Sequence, residues 1–112
     1  MVANQLGDNS MADRRALEAI IGRTFYDDEW PSEAMRPGTR VRVTQDESWA
    51  GPWRRVFLGR VDATMPPQVV QSLKARPGEL EYSVTFDQPQ FDASGDGPYR
   101  KAVIWARYLE TL

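Results

Sequence analysis

The residues of this chain that could hold a metal ion lie in one short segment near the C-terminus. Asp92, Ser94, Asp96 and Gly97 match the opening D-x-S-x-D-G of a calcium-binding loop. Oxygen ligands at alternate positions, followed by a glycine turn, suit a hard cation. The twelfth position is Val103, where such a loop has a bidentate glutamate. Asp, Ser and Gly also form ordinary turns, and a turn without metal is the preferred interpretation.

The chain has no cysteine and no histidine, which limits the catalytic groups that it can supply. Without cysteine it lacks disulfides, thiolate metal sites and a thiol nucleophile. Without histidine it lacks the usual general base near neutral pH, so a serine–histidine triad cannot be built. A carboxylate-based enzyme would have to use Asp87, Asp92 or Asp96. We find no catalytic constellation in the sequence and expect neither enzymatic activity nor a cofactor.

A second set of side chains combines arginine with tryptophan. Its members are Arg40, Arg42, Arg54, Arg55, Trp49 and Trp53. Arginines beside aromatic rings permit phosphate contacts next to base stacking, which indicates a nucleic-acid or small-ligand binding barrel as one alternative. Dedicated nucleic-acid binders are usually basic, whereas this chain has a net charge of -2 and an isoelectric point near 5.1. We therefore do not expect nucleic acid as the partner.

Charge is segregated along the chain. Residues 36–60 contain six arginines and two acids, and residues 79–96 contain five acids and no base. Two charged poles in a small domain suit head-to-tail contact between copies or a charged partner. Solvated faces of the strands are the alternative interpretation.

The strands that must position these residues follow from the hydropathy pattern. Leu80, Tyr82, Val84 and Phe86 alternate with polar residues, which predicts a strand over 79–87 with its polar side in water. Further strands are predicted over 39–44, 54–62, 100–104 and 109–112, with a helical turn over 105–108. Gly59 marks a bulge or a close backbone approach. The pattern predicts a mainly β domain with five short strands around one core.

Two helical segments are also predicted. Ser10 with Asp13 resembles an N-cap signal, and Leu17, Ile20 and Ile21 then recur at helical spacing, which predicts a helix over 11–21. So short a helix is not stable alone in water and must dock on the barrel or on another subunit. Residues 64–77 have a narrow apolar stripe after two prolines, which predicts an insertion of one or two helical turns.

The domain organisation follows from these segments. Residues 1–10 form a polar tail that is either disordered or foreign to the native chain, residues 11–35 a helix and an aromatic linker, and residues 36–112 a barrel. The uncharged apolar runs are far shorter than the roughly 20 residues that span a bilayer. The N-terminal residues also lack the apolar core of a secretion signal, so we expect a cytoplasmic protein.

The barrel segments resemble a known family. Four segments are similar to the SH3-like barrel of the nitrile hydratase β-subunit and its small activator-like relatives. They are Gly38 to Val43, Gly59 to Val61, Tyr82 to Asp87 and Trp105 to Glu110. The resemblance covers roughly residues 36–112. It implies a five-stranded SH3-like barrel that packs against a larger subunit. The family's metal is held by cysteines of the other subunit, so the resemblance implies no active-site residue here.

Three functions are therefore considered. The preferred one is a non-catalytic protein-interaction or subunit-like module that forms a homo-oligomer or docks on a larger protein. Its candidate interaction residues are Trp49, Trp53, Arg40, Arg42, Arg54, Arg55, Leu17, Ile20 and Ile21. The alternatives are a nucleic-acid or small-ligand binding barrel and a carboxylate- or metal-dependent enzyme.

Overall fold

Residues 9–45 and 52–112 are described by the computed structural model of the chain. They form one antiparallel sheet of six strands, a helix of 12 residues and two 3-10 turns. In chain order these are α1 Ser10–Ile21, a 3-10 turn Asp27–Glu29, β1 Arg40–Val43, β2 Phe57–Val61, β3 Gln68–Val69, β4 Leu80–Gln90, β5 Tyr99–Trp105, a 3-10 turn Ala106–Tyr108 and β6 Leu109–Thr111. The tail predicted over residues 1–10 lies almost wholly outside the described residues.

The sheet is organised around β4, the longest strand. β5 pairs with β4 along the same stretch in which β2 and β3 also pair with it, so β5 lies on one edge of β4 and β2 and β3 share the other. β2 pairs with β1, and β1 pairs with β6. The sheet curls into a half-barrel, and the second 3-10 turn carries the chain from β5 to β6. The predicted mainly β fold with an N-terminal helix is confirmed.

The core lies on the concave side of the sheet, where the apolar positions of the alternating strands meet. Its strand residues are Val41, Val43, Phe57, Val61, Tyr82, Val84, Phe86 and Ile104, and Trp30, Trp53 and Tyr108 complete it. Trp30 comes from the aromatic linker, and its Nε1 donates to the Met35 carbonyl at 2.9 Å. The linker aromatics Phe25 and Trp30 are thus part of the fold, whereas Tyr26 is exposed.

Gly59 is a point of close approach between β2 and β4. A Cβ atom on this residue would lie 2.6 Å from the Thr85 carbonyl oxygen and 3.1 Å from Cγ1 of Val84. Non-bonded atoms do not come so close, so any larger residue would push the two strands apart. The close approach predicted from the sequence is confirmed.

The segment between β2 and β4 differs from the prediction. Residues 64–77 contain no helical turn; Gln68 and Val69 instead form β3, which raises the number of strands from five to six. Val69 pairs with Leu80, and the Val70 N–H donates to the Glu79 carbonyl at 2.8 Å. β4 extends beyond β2, and its free edge offers these β-branched residues a strand partner. The apolar stripe predicted for this segment consists of Val69, Val70 and Leu73, and Leu73 is fully exposed.

The polar side of β4 also differs from the prediction. It was expected in water, yet Ser83 is buried and Thr85 is half-buried. Thr85 donates its hydroxyl to Asp62 at 2.7 Å, and Lys101, its partner in β5, contacts Asp13 of α1. The polar face of the sheet therefore carries a contact to α1 and does not face water along its whole length.

An ion pair fixes the start of β4 to the turn before β6. Glu79 accepts hydrogen bonds from Nε and Nη2 of Arg107 at 3.0 and 2.6 Å. It also accepts from the backbone N–H groups of Arg76 and Arg107, each at 3.1 Å. Both side chains are mostly buried. The contact joins two segments that are distant in sequence and helps to close the half-barrel.

Candidate functional site

The helix α1 is attached to the sheet by polar groups of its N-terminal half. Arg14 is almost completely buried and donates from Nε to the Thr64 carbonyl at 3.1 Å and from Nη2 to the Ala63 carbonyl at 2.8 Å. Its Nη1 donates to Asp27 at 2.9 Å. Ser10 was predicted as the N-cap; it is instead the first helical residue, and its hydroxyl accepts from the Ala63 N–H at 3.2 Å. One forked guanidinium thus binds three acceptors in two segments, residues 63–64 and the 3-10 turn at Asp27.

A second polar cluster lies beside this contact. The Asp62 carboxylate is fully buried, accepts from the Thr85 hydroxyl and the Thr64 N–H, and lies 3.4 Å from Nζ of Lys101. Nζ of Lys101 donates to Asp13 of α1 at 2.6 Å and to the Thr64 hydroxyl at 2.7 Å. Burial alone would raise the pKa of Asp62, but the two hydrogen bonds and Lys101 hold it below its usual value.

This cluster has the residue types of a catalytic site but the bonding of a structural one. The Asp62 side chain has no exposed surface, and its oxygens accept hydrogen bonds from Thr64 and Thr85, so it does not face a cleft that a substrate could enter. Lys101 is engaged by three oxygen groups, so its amine is not free to act as a nucleophile. Within residues 9–45 and 52–112, no group of three acidic, histidine or cysteine side chains is placed to hold a metal ion.

The apolar residues of α1 do not anchor it. Ser10, Arg14, Leu17 and Ile21 are spaced by four, three and four residues, so they follow one face of the helix. Ser10 and Arg14 are buried, Leu17 is half-buried and Ile21 is 49% exposed, so the helix leaves the sheet towards its C-terminal end. Ile20, next to this face, is 81% exposed. We call Leu17, Ile20 and Ile21 the helix patch.

The two arginines of β1 are neutralised within the fold. Arg40 Nη1 donates to Asp87 of β4 at 2.7 Å, and Arg42 donates to Glu110 of β6, also at 2.7 Å. The hydrogen bond from Arg40 is the main reason that the pKa of Asp87 lies below its usual value. Arg40 thus reaches across β2 to a carboxylate of the acidic segment, and Arg42 pairs with a carboxylate of the adjacent strand β6.

Arg54 and Arg55 are placed differently, at the mouth of a cavity of about 510 Å³. The cavity lies between the residues that lead into β2 and the end of β4. Its lining residues are Arg54, Arg55, Val56, Phe57, Gln88, Pro89, Gln90 and Phe91. We call it the arginine cavity. The sequence predicted these two arginines as interaction residues but gave no sign that β4 would supply the opposite wall.

The tryptophans of the predicted Arg/Trp surface do not form a stacking platform in the described part of the chain. Trp53 is buried, with its ring edge-to-face at 5.1 Å from Phe86, 5.7 Å from Phe57 and 5.8 Å from Tyr99. Trp49 lies outside the described residues. Trp53 therefore supports Phe57, which lines the arginine cavity, and does not itself reach a ligand.

The segment that resembles a calcium loop forms a turn. Oδ1 of Asp92 accepts from the backbone N–H groups of Ser94 and Asp96, each at 2.9 Å. The Asp92 N–H donates to the Asp96 carbonyl at 2.9 Å. The first carboxylate of the motif therefore holds its own loop, as expected of an Asp in a turn.

Sequence reasoning missed Arg14, Asp62 and Lys101, which hold α1 on the sheet. The available signal was the spacing of Ser10 and Arg14, which continues the apolar stripe of the helix with polar residues. That spacing shows which face is shared. It does not show that carbonyl and carboxylate groups of a distant segment lie opposite.

Comparison of the chain with protein-family models, curated proteins and solved structures found no match. Within the described residues, the one α-helix is too short and too polar to cross a lipid bilayer.

Proposed function

We propose that this protein is a non-catalytic protein-binding module that uses the helix patch to pair with a second copy of the chain or to dock on a larger protein. The observation that carries the proposal is the division of α1 into two halves. Polar residues hold the first half on the sheet, while Ile20 and Ile21 of the second half lie in water. A cytoplasmic location belongs to the same proposal.

The exposed side chains of the helix patch do not hold α1 on the sheet. Arg14, Ser10 and Asp13 already fix the helix through hydrogen bonds to the sheet. Burial of apolar surface is the main favourable contribution to protein association, and a large aliphatic side chain contributes roughly 1.5–3 kcal/mol when fully buried. Ile20 and Ile21 are thus suited to be the centre of an interface.

The resemblance to the nitrile hydratase β-subunit supports the same function, since that barrel acts by packing against a partner subunit. The nucleic-acid alternative loses two of its four arginines, because Arg40 and Arg42 are paired with carboxylates. Subunit-like protein binding remains the function that the geometry favours.

The test is the solution mass of the 12.8 kDa chain by size-exclusion chromatography with light scattering, for wild type and for Ile20→Lys/Ile21→Lys. Lysine is a good helix former and suits the C-terminal end of a helix, so the double variant removes the helix patch without breaking α1. Deletion of the helix is unsuitable because it would also remove Arg14. The control is Ala12→Lys/Ala19→Lys, which adds the same charge to exposed positions on the opposite face.

We expect the wild type and the control to exceed the monomer mass and the Ile20→Lys/Ile21→Lys variant to be monomeric. If all three are monomers, the same variants serve as baits. The proposal then requires a bound protein that the Ile20→Lys/Ile21→Lys bait loses and the control keeps. The proposal is refuted if the chain does not self-associate and also binds no such protein.

A further inference from the structure

The arginine cavity has a second set of features that the helix patch does not explain. It lies at the N-terminal end of β2, whereas α1 docks beyond the C-terminal end of that strand, at Ala63 and Thr64. Its walls come from two short segments, residues 54–57 and 88–91. A site here would act independently of the helix patch.

The lining of the cavity is positively charged. None of its eight lining residues is acidic. Among the residues that the structure describes, neither Arg54 nor Arg55 lies within ion-pair distance of a carboxylate. Six other arginines do: Arg14, Arg23, Arg40, Arg42, Arg100 and Arg107. Both arginines are exposed, and Nη2 of Arg54 lies beside the turn that follows β4, 2.9 Å from where a Cβ atom on Gly95 would stand. An exposed guanidinium group can bind a phosphate or a carboxylate with paired hydrogen bonds.

The rest of the lining is apolar or carries amides. Phe91 is 45% exposed and Val56 is 50% exposed, so an aromatic ring and an aliphatic side chain face the opening. Phe57 is buried and closes the inner side. Gln88 and Gln90 add side-chain amides on the β4 wall, and Nε2 of Gln90 donates to the Gln88 carbonyl at 3.0 Å. Such a wall suits a planar ring, which can stack on Phe91 while the amides contact its edge.

The size of the cavity indicates a small ligand. Its volume of about 510 Å³ lies within the range of about 300–1,000 Å³ that is usual for small-molecule sites. Each four-residue wall is roughly 13 Å long, at about 3.3 Å per residue of strand. A strand of nucleic acid would extend past this length onto a protein whose net charge is negative.

We propose that the arginine cavity binds a small aromatic anion, a planar ring that carries a phosphate or carboxylate group. Arg54 and Arg55 bind the anionic group, and Phe91 stacks on the ring.

The test is a titration of the ¹⁵N-labelled protein followed by backbone amide chemical shifts. The aromatic anions are adenosine monophosphate, phenyl phosphate and naphthoate; adenosine and inorganic phosphate each carry one half of the proposed ligand. At least one aromatic anion should shift the amide signals of residues 54–57, 88, 90 and 91 saturably. Its affinity should fall with added salt. Adenosine and phosphate should bind more weakly than the matching whole ligand.

Two variants localise the effect. Arg54→Gln/Arg55→Gln should weaken binding by about tenfold or more, because each charged hydrogen bond contributes roughly 1.5–3 kcal/mol. Phe91→Leu should weaken binding of the aromatic anions but leave inorganic phosphate unchanged. Arg15→Gln/Arg76→Gln is the matched control: it removes the same two charges from exposed positions outside the cavity.

The proposal is overturned if no aromatic anion shifts these signals at millimolar concentrations. It is also overturned if inorganic phosphate binds as well as the whole ligands, or if the Arg54→Gln/Arg55→Gln variant binds like the wild type. An oligonucleotide that binds here far more tightly than adenosine monophosphate would assign the cavity to a nucleic-acid strand instead.

Discussion

Replacing Glu79 by glutamine should destabilise the protein at neutral pH and lose this effect in acid. The hydrogen bond from Arg107 is the largest influence on Glu79 and, with two backbone N–H donors, it outweighs burial and lowers the pKa from 4.5 to about 2. A pKa that falls from 4.5 to about 2 on folding corresponds to roughly 3 kcal/mol of stability at neutral pH. This value is an upper limit, because solvent reaches part of the Arg107 side chain and screens the pair.

The direction of this pH dependence follows from the lowered pKa of Glu79. The folded state binds the Glu79 proton more weakly than the unfolded state does, so the stabilisation is complete above about pH 4.5 and is lost as the pH falls towards 2. At about pH 3, more than half of this stabilisation should already be lost. The free energy of unfolding of wild type minus that of Glu79→Gln should therefore shrink on acidification.

The assay is urea denaturation of both proteins at several pH values between about 7 and 3, with the difference plotted against pH. Glu81→Gln is the control on the same strand. Burial raises the pKa of Glu81, so its ionised form opposes folding: its contribution is present at low pH and is lost as the pH rises through the raised pKa. Glutamine at this position should be neutral or stabilising at neutral pH. A Glu79→Gln difference that does not change with pH would refute the reasoning.

Two further predictions concern close packing and the helix contact. Gly59→Ala should lower the free energy of unfolding by about 1–3 kcal/mol, because the added methyl group would lie 2.6 Å from a backbone oxygen; an unchanged melting temperature would show that β2 and β4 can separate without cost. Arg14→Lys keeps the charge but loses the fork that reaches Ala63, Thr64 and Asp27, so amide hydrogen exchange in α1 should accelerate by about tenfold or more. Arg15→Lys, on an exposed position of the same helix, should exchange like the wild type.

The sequence pattern alone determined several features of β2, β4 and α1. Strict alternation along β4 fixed which side chains enter the core, because successive residues of a strand point to opposite faces. Gly59 in an apolar strand indicated a close contact before its partner was known. Helical spacing likewise predicted α1 to within one residue. All of these depend on the geometry of a single element.

The sequence also determined the limits of the chemistry. A chain without cysteine or histidine excludes thiolate sites and histidine-dependent mechanisms, whatever its fold. The helical interpretation failed at residues 64–77, because Val69 pairs with the edge of β4 that β2 leaves free. The partner of a strand can be any other segment of the chain, so the local sequence does not specify it.

Tertiary structure alone decided which polar groups remain available. Arg40 and Arg42 looked equivalent to Arg54 and Arg55 in sequence, but β4 and β6 bring carboxylates to the first pair, and the end of β4 brings a cavity wall to the second. It also decided that polar residues hold α1 and that Ile20 is left in water. The sequence shows which side chains are charged. Whether an opposite charge neutralises them depends on distances of a few ångströms between segments far apart in the chain.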